Sequence, residues 1–186
     1  MRLFIASTFP ETATRAINER IASLRSKLPP ASWTRPESQH LTFAFLGEQG
    51  EALLDKIVPP LEVALGNVPA FQATLRGCGF FPNARRARVG WIGLKPEEPF
   101  CGVARTVREV VTRAGVTLDR ADFRPHLTVM RMRDNWPPAS IEMFEEACRD
   151  YASPEFTVDQ VTLYSSQLNP KGAIHTPLRA FKLKKE

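Results

Sequence analysis

Histidine is the side chain that takes up and releases a proton near neutral pH, and this chain holds three. Two of them sit in the same tripeptide, His40-Leu41-Thr42 and His126-Leu127-Thr128. Each copy runs on into apolar residues, Phe43-Ala44-Phe45-Leu46 and Val129-Met130, the composition of a short buried strand. Alternate side chains of a strand share a face, so the His and Thr of each copy point one way and the intervening Leu the other. The same alternation sends Phe43 and Phe45 to the core and Arg131 to Leu127's face, away from His126 unless the strand ends or twists first. Two such strands brought together offer two imidazoles and two hydroxyls. One imidazole can withdraw a proton while the other supplies one, and the hydroxyls can meet negative charge as it develops. His175 has no Thr two residues on and reads as a hydrogen-bonded structural group.

The elements that must position these residues recur in order. Residues 2 to 8 form an expected strand ended by Pro10. Ile17, Ile21, Leu24 and Leu28 then mark an amphipathic helix stopped by Pro29-Pro30. A loop with Trp33 and Pro36 leads to His40. A second helical pattern, Leu53 to Leu65, carries Pro59-Pro60, which should kink or split it. Phe71 to Leu75 is the next strand, and Gly77, Gly79, Pro82 and Asn83 predict a turn before the strand Val89 to Leu94. There the order restarts: a helix with Val103, Val107, Val110 and Val111, a loop with Arg124-Pro125, the second His-Leu-Thr, a helix over Ile141 to Cys148, and a strand from Phe156 to Tyr164. The two histidines lie 86 residues apart, and the same offset carries Val89 and Trp91 onto Leu3 and Ile5. Repeat units of roughly 1–80 and 86–166 imply a pseudo-twofold pair of lobes within one bilobal domain spanning 1–186, with a groove between them. Residues 171–183 read as a last strand closing one sheet.

Composition fits this frame. The 186 residues are 43% hydrophobic and 24% charged, suited to a folded, soluble chain. Twenty-five Lys and Arg against 20 Asp and Glu give a net +5, a mild bias toward anionic partners. Cys78, Cys101 and Cys148 are odd in number and lack Cys-x-x-Cys spacing, so they read as small core residues in a reducing compartment. Leu3-Phe4-Ile5-Ala6 is too short for a signal-peptide core, and no apolar run approaches a membrane span, so a cytoplasmic location is expected. Neither paired histidine is followed by Asp, Glu or Cys at a usual ligand spacing, which argues against a metal site. Gly77-Cys78-Gly79 lacks the remaining glycine of a dinucleotide fingerprint.

Paired His-x-Thr motifs at this spacing resemble the 2H phosphoesterases. The surrounding residues resemble the RNA 2′,3′-cyclic phosphodiesterase branch, the LigT/ThpR-like 2′-5′ RNA ligases. The likeness rests on Met1-Arg2-Leu3-Phe4-Ile5-Ala6, Trp33, Pro36, His40 to Gly47, Phe81-Pro82-Asn83-Ala84-Arg85-Arg86, Arg88, Trp91, and Arg124 to Thr128 with Arg131. One departure is Ala44, where members of the family often carry a basic residue. The resemblance implies an α+β bilobal fold with antiparallel sheets lining a central groove and helices outside. It also implies hydrolysis of an RNA 2′,3′-cyclic phosphate to a 2′-phosphate without cofactor or metal, and slow, reversible 2′-5′ ligation. His40 is the expected proton donor and His126 the proton acceptor, though pseudo-symmetry leaves the reverse open. Thr42 and Thr128 would bind the substrate phosphate, and Arg131, Arg85, Arg86 and Arg88 are candidate RNA contacts. The arginines at 85, 86 and 88 could equally solvate a turn, and Trp33 and Trp91 read as packing residues. The expected partner is RNA with a cyclic end, tRNA fragments among the candidates, bound by a monomer away from membranes. Two other readings stay open: a phosphodiesterase for a small cyclic phosphate, such as a nucleoside 2′,3′-cyclic phosphate or ADP-ribose 1″,2″-cyclic phosphate, and an idle RNA-binding module.

Overall fold

The computed structural model describes residues 1–119, 121–169 and 172–185. Its first strand, β1 (Arg2–Thr8), pairs antiparallel with β3 (His40–Glu48) on one side and β8 (Gln160–Asn169) on the other. Strand β9 (Gly172–Lys182) completes this sheet in the order β3-β1-β8-β9. The second sheet takes β2 (Ser32–Trp33), β6 (His126–Arg131), β5 (Val89–Lys95), β4 (Phe71–Phe81) and β7 (Phe156–Val158), in the order β2-β6-β5-β4-β7. The architecture is the bilobal α+β arrangement with two antiparallel sheets.

Each sheet is built around one hairpin-like pair from its own repeat, β1 with β3 and β5 with β6, and then borrows a strand from the other repeat. The first sheet receives β8 from the second half of the chain, and the second receives β4 from the first half. The helices cross over in the same way. Helices α2 (Ala52–Gly66) and α3 (Glu97–Arg113) pack together beside β9 and β3, while α1 (Glu11–Leu24) and α4 (Pro138–Arg149) pack on β4. Ile5, Leu41, Ile57, Leu61 and Phe100 fill the core of one lobe, and Leu75, Ile92, Leu127 and Phe144 that of the other.

Three local expectations change. Helix α2 runs unbroken through Pro59 and Pro60. Both prolines lie on its exposed face, where water reaches the carbonyls left without amide partners, and buried Leu53, Ile57, Leu61 and Leu65 hold the opposite face down. The glycine-rich segment after Leu75 is no turn: β4 continues to Phe81 with a bulge between Leu75 and Cys78, where Gly77 takes φ +76°. Gly79 stays in the strand because the Trp91 indole covers it, and any Cβ there would lie inside that ring. Finally, the strand foreseen from Phe156 to Tyr164 divides at Asp159 into β7 and β8, which belong to different sheets. Of the foreseen tail strand, Lys171 lies outside the described residues.

Candidate active site

Strand register decides which side chains reach the groove. Beside β1, Ala6 pairs with Thr42 but Ile5 with Ala44, so Phe43 is an extra, bulged residue. Beside β5, Trp91 pairs with Thr128 but Gly90 with Met130, so Val129 is the extra one. Both bulges fall one residue past the threonine, and the first six residues of β3 and β6 share one burial pattern. His and Thr are half-buried, Leu is buried, and the next two residues are buried together before one exposed residue. The carbonyl of bulged Val129 accepts the Thr34 N–H at 2.9 Å, so the irregular backbone stays satisfied. The pairing also refines the internal repeat. Thr8 stands opposite His40 as Gly93 stands opposite His126, which equates Trp91 with Ala6 rather than Ile5.

A bulge reverses the alternation beyond it, and two expectations fall with that reversal. Phe45 is 58% exposed and lines the groove, whereas Phe43 is buried as foreseen. Arg131 lines the same groove, on His126's side of its strand rather than Leu127's. Positions 45 and 131 are equivalent in the two strands, so the site sets an aromatic ring on one side and a guanidinium on the other.

The groove is a cavity of about 800 Å³ lined by His40, Thr42, His126 and Thr128 together with Arg131. Each paired histidine is held in the same way. The Nδ1–H of His40 donates to the Ser38 carbonyl at 2.8 Å and that of His126 to the Arg124 carbonyl at 2.6 Å. Carbonyls only accept, so the neutral rings carry their proton on Nδ1 and keep Nε2 for chemistry. Burial pushes both pKa values down, opposed by these backbone bonds and reinforced by Arg131. For His40, the neighbouring His175 and His126 add to the lowering.

The rings around the two histidines differ. His40 tilts against Phe4 at 5.1 Å and meets the edge of His175 at 5.3 Å. His126 meets the edge of Phe81 at 4.9 Å, with Trp91 at 6.5 Å. His175, foreseen as merely structural, thus stands in the groove wall against His40. No local signal in β9 announces this; β9 reaches the groove only because it pairs with β8, which pairs with β1. Arg2, Arg108 and Arg124 also line the cavity and were not foreseen as site residues. Arg108 is engaged by the Asp119 carbonyl and carboxylate.

Arg85, Arg86 and Arg88 are exposed and do not line this cavity, although Phe81 and Pro82, just ahead of them, do. Asn83 caps their turn by accepting the N–H groups of Arg85 and Arg86, and Arg88 donates to the Arg133 carbonyl at 3.0 Å. Trp33 packs 6.4 Å from Trp136 and Trp91 covers Gly79, the packing roles expected of them. Among the cysteines, Cys148 is fully buried while Cys78 and Cys101 are half-buried. Among the described residues, no group of three or more His, Cys, Asp or Glu side chains is gathered as a metal site, and no helix is long and apolar enough to cross a membrane.

The arrangement has counterparts among known proteins. The chain is 30% identical to an RNA 2′,3′-cyclic phosphodiesterase of Methanothermobacter thermautotrophicus, covering 98% of this chain and 99% of that one. It is 34% identical to the protein of the same name from Archaeoglobus fulgidus, covering 97% and 99%. The solved structure of TT0787 from Thermus thermophilus superposes with a TM-score of 0.81 at 29% identity over 100% of both chains. The model of the 2′-5′ RNA ligase superfamily matches residues 13–170, and the chain belongs to that family.

Proposed function

We propose that the protein opens RNA 2′,3′-cyclic phosphate ends to 2′-phosphates by acid–base chemistry between His40 and His126. The observation that carries this reading is the duplicated half-site: two histidines fixed in the same tautomer, each followed by a groove-facing threonine, opening into one cavity from two sheets. The names of the relatives agree with it.

In the proposed reaction a water oxygen attacks phosphorus while His126 takes its proton on Nε2. The bond from phosphorus to O3′ breaks, and protonated His40 delivers its Nε2 proton to that oxygen, leaving a 3′-hydroxyl and a 2′-phosphate. Turnover leaves His126 charged and His40 neutral, and exchange with solvent restores both. Negative charge grows on the non-bridging oxygens, where the Thr42 and Thr128 hydroxyls and the Arg131 guanidinium would stabilise it. With a 5′-hydroxyl attacking phosphorus in place of water, the same groups and the same P–O3′ cleavage would form a 2′-5′ linkage, and the reverse step would cleave it. The pseudo-twofold relation permits the exchanged assignment, with His126 as donor.

Phe45 supplies an apolar ring on which a base can stack, and Arg85 and Arg86 at the rim beyond Pro82 would meet the RNA backbone upstream of the cyclic end. All four motif residues come from one chain, which supports action as a monomer. The proposed substrates include tRNA fragments, and the proposed place of action is the cytoplasm. The test is turnover, with chelator present, of a short RNA ending in a 2′,3′-cyclic phosphate. Wild type should release a 2′-phosphate, and His40→Ala and His126→Ala should each lose about 10²- to 10⁴-fold while remaining folded. Inactive wild type, or variants that match it, would overturn the reading.

A further inference from the structure

The groove contains a third histidine that the two-histidine mechanism leaves unused. The His175 ring stands edge-on to His40 (centroids 5.3 Å apart, planes at 83°) and edge-on to Phe4 (4.9 Å, 74°). Its Nδ1 is buried without a hydrogen-bond partner. Its Nε2 is not among the buried unpartnered atoms and forms no hydrogen bond with any described residue, which leaves it accessible from the groove that the residue lines.

These facts fix the state of the ring. A charged imidazole would place an N–H at the buried Nδ1 with nothing to accept it, so the neutral ring with its proton on Nε2 is favoured. Burial lowers the pKa of His175 in the same direction. In their neutral forms His175 and His40 are therefore opposite tautomers: neutral His40 turns a bare Nε2 to the groove, free to carry the proton it donates when charged, and His175 an Nε2–H. Beside His126 the edge-on ring is instead Phe81, which can donate nothing. The wall around His175 is mostly uncharged, with Phe4, Phe45, Ser166 and Leu168, and a cation, Arg2, lies across Ser166 in the strand register. Such a wall suits a sugar or base, while the phosphate has Arg131 and the two threonines.

We propose that His175 is a specificity-determining residue: a neutral imidazole whose Nε2–H donates a hydrogen bond to the nucleoside of the substrate's terminal nucleotide, next to the oxygen that His40 protonates. This rests on the reading of the site as a cyclic phosphodiesterase. It makes the substrate's orientation a property of the groove, since only one half-site offers the donor.

Two variants separate donor from packing. His175→Phe keeps a ring against Phe4 and His40 but removes the N–H; His175→Gln gives up the ring and restores a donor. With an RNA 2′,3′-cyclic end, His175→Phe should lower kcat/KM about tenfold, mostly through KM, and His175→Gln should recover most of the loss. As inhibitors, a nucleoside 2′-monophosphate should weaken toward His175→Phe while inorganic phosphate should not. A Phe variant equal to wild type, Phe and Gln variants that fall alike, or an equal loss of inorganic phosphate binding would each overturn the proposal. Inactive wild type would instead remove the phosphodiesterase reading itself, so the two failures are told apart.

Discussion

The two lobes apply one backbone solution to different side chains. In both, a His-Leu-Thr strand pairs with an antiparallel neighbour, holds its histidine through a carbonyl two residues back, and bulges one residue beyond the threonine. The backbone thus preserves what proton transfer needs, two Nε2 atoms presented alike. What surrounds them diverges: Phe4, Phe45 and His175 on the His40 side, and Phe81, Trp91 and Arg131 on the His126 side. In the proposed reaction, symmetric histidines would act on an asymmetric substrate because their settings are unequal. A nucleoside needs apolar surface and neutral donors, whereas phosphate oxygens need charge.

The largest effects should fall on the shared parts. Loss of either histidine should cost about 10²- to 10⁴-fold in turnover. The comparison would break if only one of them mattered, since a single essential histidine would make the second half-site structural. Thr42→Val and Thr128→Val come next, each expected to lower kcat by about 10²-fold with KM little changed, because the hydroxyls act on charge that appears in the transition state.

Differences should emerge at the two bulge-turned positions. Arg131→Ala should weaken RNA binding and reduce the salt slope of affinity by about one, the signature of a lost phosphate contact. Phe45→Ala should raise KM by the equivalent of about 1–3 kcal/mol of lost stacking and leave the salt slope alone. Identical salt slopes in the two variants would erase the proposed division between a phosphate side and a nucleoside side. A small cyclic phosphate as true substrate would show instead as a shallow slope already in wild type.

The smallest effects concern pH. Burial lowers the pKa of His40 and of His126 below the ordinary 6.5. One must be protonated and the other neutral, so the bell of kcat/KM should lie on the acid side of 6.5 and fall as pH rises through the donor's pKa. The bound phosphate anion favours the imidazolium, so the alkaline limb of kcat should sit higher than that of kcat/KM. For stability the sign is fixed by the same lowering. The unfolded chain binds protons that the folded histidines refuse, so their contribution is present above 6.5 and is lost as pH falls through the folded pKa values. A melting temperature that rises as pH drops from 7 to 5 would contradict this.

Much of the site was legible in the chain because its signals are local. The duplicated tripeptide, its apolar continuation and the matched order of elements placed β1, β3, β5, β6 and the four helices, and the pairing of both histidines and threonines followed. The two failures at the site strands share one cause. Strict alternation put Phe45 in the core and Arg131 off the site, and one inserted residue in each strand reversed both. A bulge is a fact about the neighbouring strand's register, and nothing in Phe-Ala-Phe or Val-Met-Arg announces it. Gly77 belongs to the same class: its left-handed backbone serves a bulge as readily as a turn, and only the continuation of β4 beside β5 decides between them.

His175 marks the limit most clearly. By composition it is a histidine in a strand of mixed character; by position it stands 135 residues from the one whose ring it touches. The sequence by itself determined the chemistry available, two histidines and two threonines on repeated strands, because residue type and spacing of two are written along the chain. The tertiary structure decided which faces those strands turn to the groove and which distant strand supplies the groove's wall. Register and sheet order arise from pairing between segments far apart, and no local pattern carries that information.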